Sequence, residues 1–335
     1  MNWRAALLGV LMSFACSDDG VPAADSGGGS GSTGAATTLD AGATAELTSA
    51  AADTAGGSID SGDGPTGDEG VDASTGGAPP TGSAGCGTPA SAGVTKVTID
   101  IEGTEREYLL VVPEGYDPAV PLPLVFGWHG RGGTPEFAHV YFGIEAAAAG
   151  GALFIYPQGL PIESMGGESG WDLAPAGIDV AFFDGMLAAT QSSLCVDVDR
   201  VFSTGHSFGG YMSTALGCFR ASALRAIGSV AGGPAFGECE PDERVAALLV
   251  HGSLDEIVPL EQGVLARDQQ VQRNGCGATS VPHDPEPCVA RDDCMPGYDV
   301  RWCEHAIADL QGHTWPDFAP GAIWGFFASQ TPESQ

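Results

Sequence analysis

Six residues, Gly205-His206-Ser207-Phe208-Gly209-Gly210, join the strand-like run Arg200 to Thr204 to a helix-like run from Tyr211 to Phe219. A strand that turns into a helix over so short a stretch forces the residue at the bend into a strained backbone conformation. Glycines on either side remove the side chains that would otherwise collide there. A serine at such a bend presents its hydroxyl at a helix N-terminus. There the amide of Phe208 and the helix dipole face any oxygen that turns negative when a carbonyl is attacked. The chain is thereby constrained to layered strands and helices, with Ser207 as a candidate nucleophile.

A serine hydroxyl is a weak nucleophile at neutral pH and needs a histidine base, itself oriented by an acid. Downstream, Val245 to Val250 reads as a buried strand, and Asp255 follows just past its carboxyl end in Ser253-Leu254-Asp255-Glu256-Ile257-Val258-Pro259. Asp255 is the candidate acid, with Glu256 and Asp309 as rivals. Of seven histidines, four lie beyond the serine. His251 sits inside the strand that delivers Asp255, His283 among prolines and acids, and His305 in the apparent strand Tyr298 to Ala306. His313 lies in the loop Leu310-Gln311-Gly312-His313-Thr314-Trp315-Pro316, before a terminal helix around Ile323 to Phe327, and is the candidate base. The order Ser, Asp, His is that of the α/β-hydrolases.

Attack on a carbonyl also needs a second amide to hold the oxyanion, from the loop after an early strand. The apolar run Leu122 to Trp128 ends in His129-Gly130-Arg131-Gly132-Gly133, which offers the amide of Arg131 beside that of Phe208. Val97, Ile99 and Ile101 alternate with polar residues, and Tyr108 to Val112 follows a Gly103-Thr104 turn, predicting an opening antiparallel hairpin. Further apolar strands at Ala152 to Tyr156, Arg200 to Thr204, Arg225 to Val230 and Val245 to Val250 alternate with helix-like segments. Such alternation predicts a mainly parallel sheet covered by helices on both faces. Val180, Phe183 and Leu187 place a packed helix over 179–193, making Asp179 and Asp184 cap and solvent-face residues. The segment 277–297, rich in Pro, Asp and Cys, reads as a disulfide-pinned surface loop.

The segments around Gly130, Ser207, Asp255 and His313 together resemble the secreted feruloyl esterases and poly(3-hydroxybutyrate) depolymerases grouped with the family-one carbohydrate esterases. Ala266-Arg267-Asp268-Gln269, Arg273-Asn274-Gly275-Cys276 and the late cysteines Cys288, Cys294 and Cys303 lie nearer the feruloyl esterase side. The resemblance covers about residues 86–327; Gln311 departs from it, since the family usually has a second glycine before the histidine. It implies an α/β-hydrolase and a serine esterase releasing hydroxycinnamoyl groups from cell-wall polysaccharide, with no metal or organic cofactor. Ser207, Asp255 and His313 are then catalytic. Trp171 admits two readings, the wall of an aromatic acyl pocket or a core residue. An aliphatic-ester hydrolase, such as a poly(3-hydroxybutyrate) depolymerase or acetyl-xylan esterase, is the nearest alternative. A serine peptidase, though one without the separate gating domain that such peptidases usually carry, and a non-catalytic surface-binding protein on the same scaffold stand further off.

Composition divides the 335 residues into a leader over 1–16, a linker over 17–85 and a domain over 86–335. The linker holds eleven Asp and Glu, no Lys or Arg and no aromatic residue. It cannot bury enough apolar surface to order itself, and as a flexible coil it would span about 45 Å. The net charge is −31 and Lys96 is the single lysine, a balance that repels nucleic acid and anionic membrane and suits a neutral polysaccharide ester. Arg4, the apolar run Ala5 to Met12 and Ser13-Phe14-Ala15 before Cys16 read as an export signal, with Cys16 expected to carry lipid and signal cleavage after Ala15 as the other route. A secreted or cell-surface monomer is expected. Nine cysteines less Cys16 leave eight for disulfides. The expected pairs are Cys86 with Cys195, Cys218 with Cys239, Cys276 with Cys303, and Cys288 with Cys294.

Overall fold

The computed structural model describes residues 81–239 and 242–331. The expected leader, Cys16 and the linker up to residue 80 lie outside the described residues. The linker's last residues, 81–85, are already part of the folded body. Ser83 N–H donates to Val196 O, its hydroxyl to Leu194 O, and Gly85 N–H to Gln191 O.

The alternating and apolar runs form β1 (Gly93–Ile101), β2 (Thr104–Val112), β3 (Leu122–Trp128), β4 (Leu153–Pro157), β5 (Leu160–Ile162) and β6 (Glu168–Gly170). They continue as β7 (Val196–His206), β8 (Ala226–Val230), β9 (Ala246–Gly252), β10 (Ser280–Pro282), β11 (Cys288–Arg291) and β12 (Val300–His305). Helices are α1 (Pro135–Tyr141), α2 (Ile144–Ala148), α3 (Ile178–Ser193), α4 (Phe208–Phe219), α5 (Leu260–Arg273) and α6 (Ala319–Ser329). Ten strands make one sheet in the order β1-β2-β4-β3-β7-β8-β9-β12-β11-β10, and β5 and β6 form a separate hairpin. The strands from β4 through β12 in that order are parallel, while antiparallel hairpins close both edges.

Period-two patterning splits the core between the two faces of the sheet. Leu124, Phe126 and Trp128 of β3 join Val180, Phe183 and Met212 under α3, α4 and α5, whereas Val125 joins Ile144, Ile323 and Phe327 under α1, α2 and α6. Each fully buried Leu or Phe contributes roughly 1.5–3 kcal/mol. Sequence order reverses where β3 lies beside β7. Connections leave that point in opposite directions, the arrangement that in open α/β sheets puts the ligand site above the carboxyl ends of the two strands.

Two expectations are corrected. The segment 277–297 is not simply a loop, since it supplies β10 and β11 to the sheet edge. Cys86–Cys195 and Cys218–Cys239 form as expected, but the other four cysteines pair as Cys276–Cys294 and Cys288–Cys303. Antiparallel register sets Cys288 directly opposite Cys303. Bonds from Gly277 N–H to Asp292 O and Met295 N–H to Asn274 O bring the other pair together.

Candidate active site

Ser207 stands between β7 and α4 with φ 58° and ψ −120°, a conformation that side chains rarely adopt. Its own N–H donates to Val230 O at 2.9 Å, which ties the bend to the end of β8. The flanking glycines are required by crowding. A Cβ at Gly209 would collide with Trp128 O, and one at Gly205 with the backbone of Gly209. Gly130, on the loop after β3, lies directly against Ser207: a Cβ built there would stand 3.3 Å from Ser207 Cβ. The glycines therefore let two backbone segments close on the serine.

Asp255 follows β9 and is 7% exposed. Its Oδ1 accepts from the amides of Ile257 (2.9 Å) and Val258 (2.8 Å), and its Oδ2 accepts from His313 Nδ1 at 2.8 Å. Burial pushes the carboxyl's pKa up, but the His313 bond and these amides outweigh it and hold Asp255 below the ordinary carboxylate value. An Nδ1–H that donates to the Asp255 carboxylate leaves the Nε2 lone pair of the imidazole free, the arrangement a general base needs. The rivals Glu256 and Asp309 are exposed; Glu256 contributes a backbone N–H to Gln311 O at 2.9 Å. That bond zips the acid loop to the histidine loop. The His313 ring lies 4.8 Å from that of His206, directly before Ser207 in sequence.

Of the other histidines beyond the serine, His251 lies nearest, its Nε2 3.6 Å from Asp255 Oδ2 against 2.8 Å for His313 Nδ1. His251 is buried in β9, its Nε2–H donating to Val258 O, and burial lowers its pKa. His305 is buried at the end of β12, where its Nδ1 accepts from Ile307 N–H, and His283 is half-buried beside β10.

Of the two residues expected to supply oxyanion amides, Arg131 follows Gly130 in the glycine loop that lies against Ser207, and Phe208 opens α4 directly after it. A helix's first amides have no partner within the helix. Among the described residues neither amide donates to a protein acceptor. The glycine loop is held from behind. Gly132 N–H donates to Ser169 O (2.8 Å), the Ser169 hydroxyl to Gly133 O (2.7 Å), and Arg131 Nε to Glu168 Oε2 (2.8 Å). The β5–β6 hairpin thus buttresses the loop.

Trp171 takes the core reading. It is 2% exposed, packs edge-on against Trp128 with ring centroids 4.9 Å apart, and donates its indole N–H to His129 O at 2.8 Å. Sequence reasoning assigned no role to His129, which is buried and bridges Gly159 N–H, accepted on Nε2, to Gly130 O, reached from Nδ1. Burial lowers its pKa to about 4, so the ring is neutral, as the bond from Gly159 requires. Its position at the head of the glycine loop was the available signal. Asp179 is corrected more sharply. Rather than a cap on the solvent side, it is a buried partner of Arg106 Nη2, and its second oxygen accepts from Asp172 N–H beside Trp171. Burial raises its carboxyl's pKa, with the Arg106 charge opposing. Asp184 pairs with Arg220 through both carboxylate oxygens.

A parallel sheet carrying serine, acid and histidine in that order above its carboxyl edge defines an α/β-hydrolase. No protein-family model matches the chain. It is 35% identical over 260 residues to feruloyl esterase C of Emericella nidulans, covering 73% of this chain and 90% of that protein. It is 31% identical over 268 residues to feruloyl esterase D of Neurospora crassa, again covering 73% of this chain and 90% of that protein. Among solved structures, the acetyl xylan esterase of Aspergillus awamori superimposes with a TM-score of 0.56 at 15% identity, covering 70% of this chain and all of that one. A ferulic acid esterase of Anaeromyces mucronatus superimposes with a TM-score of 0.50 at 17% identity, covering 71% and 90%. The chain belongs to the feruloyl esterase family and is a carboxylic-ester hydrolase.

Proposed function

We propose that the enzyme hydrolyses hydroxycinnamoyl esters of plant cell-wall polysaccharide through an acyl-enzyme. The observation that carries the proposal is the Asp255–His313 hydrogen bond beside a glycine-flanked serine at the sheet's switch point. The family's named relatives supply the acyl class. Ser207 Oγ attacks the ester carbonyl as His313 Nε2 takes its proton; Asp255 holds the ring and stabilises the imidazolium. The amides of Arg131 and Phe208 receive the oxyanion. His313 then returns the proton to the leaving alkoxide, and water enters by the same route to release the acid.

Ser207→Ala is expected to keep the fold while turnover of methyl ferulate falls by several orders of magnitude. His313→Ala should lose a comparable amount and the double variant hardly more, because the two groups act as one unit. Independent, additive losses would contradict the assignment. Turnover of acetyl or 3-hydroxybutyrate esters without turnover of methyl ferulate would redirect it to the aliphatic alternatives.

The four disulfides suit an oxidising compartment. With the leader and Cys16 they support an exported, surface-held enzyme.

A further inference from the structure

Trp171 is enclosed in the core, yet the fold does expose aromatic surface beside the candidate catalytic residues. On α1, Phe137 is 57% exposed and stacks on Tyr141 one turn further along, with ring centroids 4.8 Å apart and planes 23° from parallel. A spacing of four puts both rings on one helix face. Val140, 77% exposed, widens the same apolar surface. The helix leaves the glycine loop directly, its start capped by Thr134 Oγ1 accepting from Phe137 N–H.

This platform is continuous with the catalytic centre on one particular side. The Tyr141 hydroxyl accepts from Trp315 N–H at 3.1 Å, two residues past His313. Its ring lies 5.7 Å from that of His206, which in turn lies 4.8 Å from that of His313. Chemistry determines what approaches there. His313 delivers its proton to the leaving oxygen, so the alcohol half of the ester must lie toward His313, while the carbonyl oxygen faces the amides of Arg131 and Phe208.

We infer that Phe137 and Tyr141 form the subsite for the sugar ring that carries the ester, an inference that rests on the polysaccharide-ester reading above. One face of a sugar ring presents C–H groups with slight positive charge, which suit the negative face of an aromatic ring. The ring's hydroxyls stay in water, as an exposed platform allows, and the polymer can continue past it on both sides. The exposed Glu136 carboxylate beside Phe137 favours a neutral sugar over a uronic acid.

Two pairs of substrates test this, each holding the acyl group constant. They are methyl ferulate against a feruloylated arabinose oligosaccharide, and methyl acetate against an acetylated xylo-oligosaccharide. Phe137→Ala is expected to lower the sugar-ester to methyl-ester ratio of kcat/KM about tenfold, chiefly through KM, and Phe137→Trp to restore it. An equal fall on both members of a pair would make Phe137 a scaffold residue, and an unchanged ratio would remove the subsite; either overturns the inference. If the unsubstituted enzyme cleaves acetyl but not feruloyl esters, the acyl assignment fails while the acetyl pair still tests the platform. Titrating feruloylated oligosaccharide into Ser207→Ala protein, with and without Phe137→Ala, reads the subsite without turnover. Equal affinities there would also overturn it.

Discussion

Ser207 and Gln311 both hold left-handed backbone angles, for different reasons. At Ser207 the strain accompanies exposure of a hydroxyl at a helix N-terminus. At Gln311, with φ 59° and ψ 34°, the strain comes from the tight path that brings His313 to Asp255, and Leu310 beside it has φ 52°. A non-glycine residue in this region costs roughly 1–2 kcal/mol, which gives a physical reason for the family's usual glycine. The Gln311 side chain is exposed, and the cross-loop bond at this position, from Glu256 N–H, uses its backbone oxygen. Gln311→Gly should therefore raise stability by about 0.5–1 kcal/mol after the entropic cost of glycine, measured by denaturant unfolding. A loss of stability would show that the glutamine side chain makes contacts of its own. His206, adjacent to the serine, is neutral for another reason: burial brings its pKa to about 3, so it packs against His313 without placing a second charge there.

At the scale of elements, the glycine loop after β3 is positioned by its supports. The β5–β6 hairpin holds it through Ser169 and Glu168, His129 ties it to Gly159, and the Trp171 indole fixes His129 O. Behind Trp171, the buried Arg106–Asp179 pair anchors the segment leading into α3. Removing one member of such a pair typically costs 3–5 kcal/mol, because the other charge is left buried without a partner. Trp171 offers the gentler probe. Trp171→Phe keeps most of the ring packing against Trp128 and loses the bond to His129 O. If that bond positions the Arg131 amide, kcat should fall by a similar factor, about tenfold, on methyl ferulate and on a short acetyl ester, since both pass through the same oxyanion site. A loss confined to the aromatic ester would instead mark Trp171 as a substrate contact.

For the whole molecule, the disulfides fasten segments at the margins of the sheet, and one of them, Cys288–Cys303, reinforces a strand pair within it. Cys86–Cys195 ties the start of the folded body to the strand entering the serine bend, and the two late bridges secure the edge strands and the end of α5. Ahead of that body in the sequence lie Cys16 and the acidic segment expected to be a linker. We propose that Cys16 is the point of attachment; the domain's own negative charge would discourage adhesion of the enzyme to an anionic surface. On that reading, Cys16→Ala should move the enzyme, provided export still occurs, from the membrane to the soluble fraction. Unmodified chain already soluble, with residue 16 free of lipid by mass spectrometry, would decide for ordinary secretion.

What the sequence determined by itself is whatever depends on local pattern. Short continuous apolar runs placed the central strands to within a few residues, alternation marked the opening hairpin, and glycines around one serine marked the bend. The position of Asp255 past a strand and of His313 in a loop nominated the pair that the structure joins at 2.8 Å. What only the tertiary structure decided are matters of partner and face. Cys288 meets Cys303 because two strands share a register, which spacing along the chain does not encode. Asp179 is buried because Arg106, 73 residues away, arrives from β2. Trp171 turns inward and Phe137 outward because the sheet has two faces and a helix can present a ring to either the core or the solvent. Hydrophobicity alone does not distinguish a ring that packs the core from one left for a ligand.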